Sequence, residues 1–142
     1  MGGFGNINLM TIKRFDEVEA WQLARELTRK VYELTKKGKF AQDFGLKGQI
    51  QRAASSSMHN IAEGFDADAN TEFVRFLRYS RRSCSEVQSE LYVALDQRYI
   101  TKLEFQNVYD HAGRTRAAIR GFIRYSLNSK RTKRETRELV NA

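Results

Sequence analysis

Proline is absent from all 142 residues of this sequence. Because proline interrupts helices, its absence leaves long continuous helices possible throughout the chain. Of the 9 glycines, those that interrupt the helical patterns fall where the patterns end. The sequence therefore favours an all-helical protein, and its length suits one domain with a single core.

Cysteine is almost absent, with Cys84 alone in the chain. A single thiol cannot form an intramolecular disulfide, so we expect an intracellular, cytoplasmic protein. The first ten residues have no charged segment followed by an apolar run, which argues against a signal peptide. No apolar run approaches the ~20 residues that a membrane span needs, so we expect no membrane partner.

Catalytic and metal-binding patterns are also missing. Neither His59 nor His111 belongs to the Glu-x-x-His pattern that di-iron helical bundles use. The serines at 55–57 lack a recognisable base and acid, and small residues at a helix contact explain them better. Cys84 falls on the apolar side of a predicted helix, which is typical of a core residue. We therefore predict no enzymatic activity, cofactor or metal.

Hydrophobic periodicity predicts four long helices joined by short links. Links this short bring consecutive helices together in opposite directions, which predicts an antiparallel up-down-up-down four-helix bundle. We divide the chain into a flexible leader at 1–13, the bundle at 14–127 and a basic tail at 128–142. The predicted helices cover residues 16–38, 44–63, 70–96 and 101–127, with links at 39–43 and 64–70.

Three helix ends carry their own sequence markers. Asp16 with Glu19, and Thr101 with Glu104, match the capping-box pattern, so we expect the first and fourth helices to begin there. Gly64 should end the second helix, because glycine readily adopts the left-handed conformation that a helix cap requires.

The second and third predicted helices face each other across the link at 64–70. In such an antiparallel pair, the numbers of facing residues sum to about 134–138. Arg52 then lies level with Ser83 and Glu86. We expect an Arg52–Glu86 ion pair that fixes the register of the two helices, with both side chains in water as the alternative.

A set of motifs spans the predicted helices. The most specific part is Asn-Ile-Ala-Glu-Gly at 60–64, followed by Phe-x-x-Phe-Leu at 73–77 and Ser-x-x-Glu at 83–86. Together with Trp21 and the Arg-Ala pair that begins at Arg52, these residues resemble the four-helix-bundle proteins of the 23S rRNA intervening-sequence family. The resemblance covers about residues 13–125 and implies structural roles for Arg52, Asn60, Glu63, Gly64, Ser83 and Glu86.

That family includes the accessory variability determinant of diversity-generating retroelements. The determinant is a basic pentameric barrel of four-helix bundles that binds a reverse transcriptase and nucleic acid. The resemblance therefore implies a non-enzymatic homo-oligomer, a pentamer in form, with a reverse transcriptase as a candidate partner. The chain departs from the family at Ser80 and Arg82, where Ala and Gly are usual, and Arg82 adds positive charge there.

Positive charge is concentrated late in the chain. The net charge is +8, and residues 111–134 contain no Asp or Glu. Arginines three or four residues apart share faces of the third and fourth helices, and the planar guanidinium suits bidentate contact with phosphate. The candidate nucleic-acid-binding residues are Arg75, Arg78, Arg82, Arg114, Arg116, Arg120, Arg124, Lys130, Arg131, Lys133 and Arg134.

These clusters predict a basic nucleic-acid-binding protein, with RNA ahead of DNA as its ligand. No helix-turn-helix, zinc-finger or RNA-recognition motif is present, so we expect contacts with the backbone rather than with bases. Tyr79 and Tyr125 could stack on unpaired bases, although packing at a subunit contact or a position on the surface is the favoured interpretation for each. The alternative function is a protein-interaction scaffold whose arginine face docks an acidic partner.

Aromatic residues exceed what the core of one bundle obviously requires. They fall in the leader, near helix ends or in links, where some could form a subunit interface. They are Phe4, Phe15, Phe40, Phe44, Phe65 and Tyr99.

Overall fold

The computed structural model describes residues 12–128. Within them the chain forms helices and no β-strand, which confirms the all-helical prediction. None of the helices in this part of the chain is long and apolar enough to cross a membrane. The helices are α1 (Glu19–Thr35), α2 (Gly38–Gln42), α3 (Phe44–Phe65), α4 (Asn70–Asp96) and α5 (Lys102–Asn128), preceded by a 3-10 turn at Phe15–Glu17.

The four long helices enclose one apolar core. α3 and α5 each contact both α1 and α4, so every long helix has two long neighbours. Phe73 of α4 and Phe122 of α5 are fully buried, and their rings meet edge to face with centroids 5.4 Å apart. Burial of each such side chain contributes about 2–3 kcal/mol relative to exposure, so this contact is a main support of the α4–α5 pairing.

Contacts between α3 and α4 follow the predicted antiparallel register. The Ser80 hydroxyl donates to the carbonyl oxygen of Ser57 at 2.5 Å, in a fully buried contact. Gly64, nearer the C-terminal end of α3, lies against Phe73 of α4. Both pairs match the predicted register, which small side chains permit because they let the two backbones come close.

α1 runs antiparallel to α3 and to α5. The Thr28 hydroxyl donates to the carbonyl oxygen of Ala54 at 3.0 Å, and the Gln51 amide donates to the Thr35 hydroxyl at 2.9 Å. Higher numbers on α1 therefore pair with lower numbers on α3. The corresponding pairs between α1 and α5 are Leu23 with His111 and Lys30 with Asn107.

Gly64 does not end α3, contrary to the prediction. α3 continues through Phe65, and among described residues the positive φ angles belong to Gly38 and Arg98. A Cβ atom on Gly64 would lie 2.7 Å from the Cβ of Phe76 and 2.9 Å from Cδ1 of Phe73. The close approach of α4, and not a left-handed cap, therefore requires glycine here.

The predicted helix start at Asp16 is also wrong. The carboxylate of Glu17 accepts hydrogen bonds from the backbone N–H groups of Lys13 and Arg14, both at 3.2 Å, and this closes a 3-10 turn. α1 begins only after Val18, which supplies no capping side chain. The carboxylate that accepts from the cap backbone is therefore that of Glu17, two positions before the Glu19 of the predicted capping box.

The capping box at Thr101 and Glu104 is confirmed. The Thr101 N–H donates to Oε1 of Glu104 at 2.9 Å, and the Glu104 N–H donates to the Thr101 hydroxyl at 3.1 Å. The predicted link at 39–43 instead contains the short helix α2, because Phe40 reaches the core and stacks on Tyr99 with centroids 5.4 Å apart.

The aromatic residues considered for a subunit interface divide between two roles. Phe40 and Phe65 are buried in the core, so they serve the bundle itself. Phe44 is 79% exposed and Phe15 is 37% exposed, with Phe15 packed edge to face on Trp21. Phe4 lies outside the described residues.

Candidate nucleic-acid interface

α4 and α5 lie side by side in opposite directions along the basic part of the molecule. The Asn70 amide donates to the carbonyl oxygen of Ser126 at 3.2 Å near one end of this contact. Near the other end, the rings of Tyr92 and Phe105 lie with centroids 4.9 Å apart. This register places the first half of α4 level with the part of α5 that carries the regularly spaced arginines.

Arginines line the outer edge of the contact between α4 and α5. α4 has no Asp or Glu from 73 to 85, and α5 has none from 111 to 128. Helical spacing places five arginines of these stretches on the side of the partner helix, and none of the five forms an ion pair within residues 12–128. We define this surface as the arginine seam, which consists of Arg78, Arg81, Arg116, Arg120 and Arg124.

Arg116 is the member of the seam that the protein holds most firmly. Its Nη1 donates to Oε1 of Gln88 at 3.3 Å, and its Nε is buried without a partner. Burial raises the pKa of the nearby Cys84 thiol to about 12, against the opposing effect of the Arg116 charge. Because that thiol stays protonated, no thiolate neutralises the guanidinium.

Arg75 and Arg82 lie on a different face of α4, beside Tyr79. Nε of Arg75 donates to the Tyr79 hydroxyl at 2.8 Å, and Nη1 of Arg75 pairs with Glu72 at 3.3 Å. The guanidinium carbons of Arg75 and Arg82 lie 5.6 and 5.0 Å from the Tyr79 ring centroid. Tyr79 is thus engaged in cation–π contacts within the same helix.

Arg114 faces α1 rather than the seam. Its Nη2 lies 3.2 Å from Nδ1 of His111, whose Nε2 lies 2.9 Å from the carbonyl oxygen of Leu23. Only a ring protonated on Nε2 satisfies both contacts, because Nδ1 must accept and Nε2 must donate. Burial lowers the pKa of His111, which favours this neutral form. The predicted tail residues Lys130, Arg131, Lys133 and Arg134 lie outside the described residues.

A groove of about 370 Å³ separates Arg52 on α3 from Glu86 on α4. The predicted ion pair between them is not formed, since no carboxylate lies within bonding distance of Arg52 in this part of the chain. The guanidinium lies instead over its own helix, where a Cβ atom on Gly48 would be 3.1 Å from Nη1. Burial and the charge of Glu86 raise the pKa of Glu90 in this groove to about 7.

The remaining motif residues make local contacts. The Asn60 amide donates to the carbonyl oxygen of Ser56 at 2.8 Å, and the Ser83 hydroxyl donates to that of Tyr79 at 3.1 Å. Glu63 is exposed at the end of α3. These hydrogen bonds stay within one helix, so they do not fix the distance between helices.

Sequence reasoning missed one residue of the seam and one side chain that contacts the seam. Arg81 was not among the candidate residues, and Gln88 was not singled out at all. The two are seven residues apart on α4 and therefore lie on the same face of the helix. A helical wheel of α4 aligned on the α5 contact would have selected both.

Residues 16–121 match the family described as 23S rRNA-intervening sequence protein. Among solved structures, the fold is similar to that of a protein of unknown function from the S23 ribosomal protein family of Bacteroides thetaiotaomicron VPI-5482, with a TM-score of 0.68 and 18% identity. The match covers 73% of this chain and 97% of that chain. No curated protein matches. The family match spans well over half of the sequence, and the chain therefore belongs to the 23S rRNA-intervening sequence protein family.

Proposed function

We propose that this protein binds RNA through the arginine seam and is not an enzyme. The observation that carries the proposal is a set of arginines on two packed helices with neither acidic neighbours nor ion pairs within residues 12–128. Like charges at this spacing destabilise a helix, so the arrangement becomes favourable when a polyanion neutralises it. The family's name, which refers to 23S rRNA, favours RNA over DNA.

The contacts are to phosphate groups rather than to base edges. Guanidinium groups form bidentate hydrogen bonds with phosphate oxygens, and this recognition carries no sequence information. Tyr79, which could have stacked on bases, is engaged by Arg75 and Arg82 on another face. We therefore expect little preference between RNA sequences, in a protein that works in the cytoplasm.

Salt-dependent binding tests the proposal. Fluorescence anisotropy with a labelled RNA duplex of about 20 base pairs measures the affinity between about 50 and 200 mM salt. The logarithm of the affinity should fall linearly with the logarithm of the salt concentration, because bound arginines release counterions from the RNA. Absence of binding, or an affinity that salt does not change, contradicts the proposal.

A triple variant locates the site. Replacing Arg116, Arg120 and Arg124 with Ala should weaken binding at least about tenfold and make its salt dependence shallower. The matched control replaces three exposed cations in α1 or directly after it with Ala, and both variants lose the same charge. Equal loss of affinity in the two variants would place the site elsewhere. The control residues are Arg25, Arg29 and Lys36.

The proposal includes a homo-oligomer, in the pentameric form that the resemblance implies. Its unit is an up-down-up-down four-helix bundle, which the antiparallel pairs of α1, α3, α4 and α5 support. Phe44 is 79% exposed and Leu103 is 81% exposed. Both lie at the end of the molecule where α3 and α5 begin, so self-association there would remove two large apolar side chains from water.

The same exposed end favours a second candidate function, a scaffold that docks another protein. The partner would be an acidic protein, because the arginine seam is positively charged. The resemblance makes a reverse transcriptase the first partner to test. Purification after nuclease treatment separates the two functions. Recovery of a specific protein without RNA, together with no affinity for the RNA duplex, would favour the scaffold.

A further inference from the structure

Gln88 is a polar side chain buried in the contact between α4 and α5, with only 9% of its surface exposed. Its Nε2 donates to the carbonyl oxygen of Tyr109 at 3.3 Å, and its Oε1 accepts from Nη1 of Arg116 at 3.3 Å. An amide with its nitrogen committed to a backbone carbonyl can present only its oxygen to the other neighbour. The backbone of α5 therefore fixes which atom of Gln88 faces Arg116.

This arrangement decides which edge of the Arg116 guanidinium faces outward. Nε is buried and unpartnered, and Nη1 is held by Gln88. Nη2 makes no hydrogen bond within residues 12–128 and is not buried. Each amino group carries two N–H groups, so Nη1 keeps one that Gln88 does not use, and the edge formed by the two amino groups is the edge left for a ligand at this point of the seam. That edge can donate two parallel hydrogen bonds to the oxygens of one phosphate group.

We infer that Gln88 is a positioning residue, which holds the Arg116 guanidinium so that its amino edge meets an RNA phosphate end-on. The inference rests on the proposed function, because it names how one arginine of the seam is prepared for its ligand. A side chain that is already oriented loses less conformational freedom on binding. Gln88 therefore raises affinity without adding charge, whereas Arg116 supplies charge.

A double-variant cycle separates these two contributions. Gln88→Met removes the amide and keeps the chain length, so the affinity for the RNA duplex should fall about tenfold with an unchanged salt slope. Arg116→Gln should lower the affinity and reduce the slope by about one unit. The double variant should bind no more weakly than Arg116→Gln, because the positioned group is already gone. Gln106→Met, at an exposed position of α5, is the matched control and should bind like the wild type.

Gln88→Glu gives a second readout that does not depend on tolerance of methionine. The carboxylate keeps the shape and the hydrogen bond from Arg116, but it loses the hydrogen bond that the Gln88 amide donates to the Tyr109 carbonyl, and it neutralises the guanidinium. The salt slope should therefore fall by about one unit, as in Arg116→Gln. Circular dichroism shows whether each variant keeps the helical content of the wild type.

The outcomes distinguish this inference from the function on which it rests. Wild-type affinity in Gln88→Met, an unchanged slope in Gln88→Glu, or losses that add fully in the double variant would overturn the positioning role. Each of those results leaves RNA binding by the seam intact. Failure of the wild-type protein to bind the duplex would instead refute the proposed function itself.

Discussion

Glu90 is the residue that shows most clearly how its surroundings change the pKa of a side chain. Its Oε1 is buried without a partner, and burial together with the Glu86 charge raises its pKa to about 7. Arg52, across the groove on α3, only partly offsets this effect. The sequence alone could not distinguish Glu90 from Glu86, because the two are four residues apart and lie on the same side of α4. What distinguishes Glu90 from Glu86 is how closely α3 packs against it.

Glu90→Gln should stabilise the protein at neutral and higher pH. The folded-state pKa is raised above the ordinary value of 4.5, so the folded protein binds this proton more tightly than the unfolded chain does. The stability due to protonated Glu90 is fully present below about pH 4.5 and is lost as the pH rises through 7.

The neutral amide avoids that loss. After allowance for solvent screening, we expect a gain of about 1 kcal/mol at pH 8, which is about 4 °C in melting temperature, and a smaller gain at pH 5. Thermal unfolding at the two pH values measures the difference. Glu63→Gln, at an exposed site of α3, should show none. A gain for Glu90→Gln that did not grow with pH would be inconsistent with the raised pKa.

At the scale of helices, the sequence predicted the features that depend on neighbouring residues along the chain. The apolar stripes and the Thr101–Glu104 capping box are local patterns, and the structure contains them. Except for the helix start at Asp16, where Glu17 makes the local contacts instead, the features that it mispredicted depend on the distance to another helix. Gly64 looked like a cap because glycine serves both caps and close contacts, and only the position of α4 distinguishes them.

Gly64→Ala tests the close approach of α3 and α4. Alanine favours a helix by about 1 kcal/mol over glycine, so a glycine with open space around it would be improved by the change. At Gly64 the new methyl group would meet Phe73 and Phe76 at under 3 Å, and overpacking of this kind costs about 1–3 kcal/mol. We therefore expect net destabilisation in urea unfolding.

Gly45→Ala is the control for that measurement. The nearest atom to a Cβ there is Oδ1 of Asp43 at 3.7 Å, an ordinary contact, so this variant should be no less stable than the wild type. If Gly64→Ala unfolds at the same urea concentration as Gly45→Ala, the two helices do not pack as tightly as described.

At the scale of the whole molecule, the sequence predicted that arginines concentrate on the last two helices but not how they divide. Spacing alone grouped Arg75, Arg78 and Arg82 on one face of α4. Contacts with Tyr79 take Arg75 and Arg82 out of that group, which leaves Arg78 for the seam. Arg114, by contrast, is occupied by His111 on the side of α1. A helix face is about 100° wide, so which neighbour covers its edge decides the role of each arginine.

The proposed assembly gives a prediction at the same scale. Light scattering should show a mass several times that of one chain, and replacing Phe44 and Leu103 with Ser should reduce it to that of one chain. Their exposure, 79% and 81%, makes these side chains the largest apolar contribution at that end. Leu127→Ser, at the opposite end, is the control and should leave the mass unchanged. A single-chain mass for the wild type would rule out the oligomer.

The four-residue spacing of the arginines on α5 limits how much RNA one copy of the seam can contact. Successive arginines four residues apart climb about 6 Å each, so Arg116, Arg120 and Arg124 form a rigid rod of charge only about 12 Å long. The backbone of an RNA duplex winds away from such a rod after two or three phosphates. A single copy would therefore dissociate from RNA quickly. A long-lived complex would require several copies bound to one RNA molecule at once.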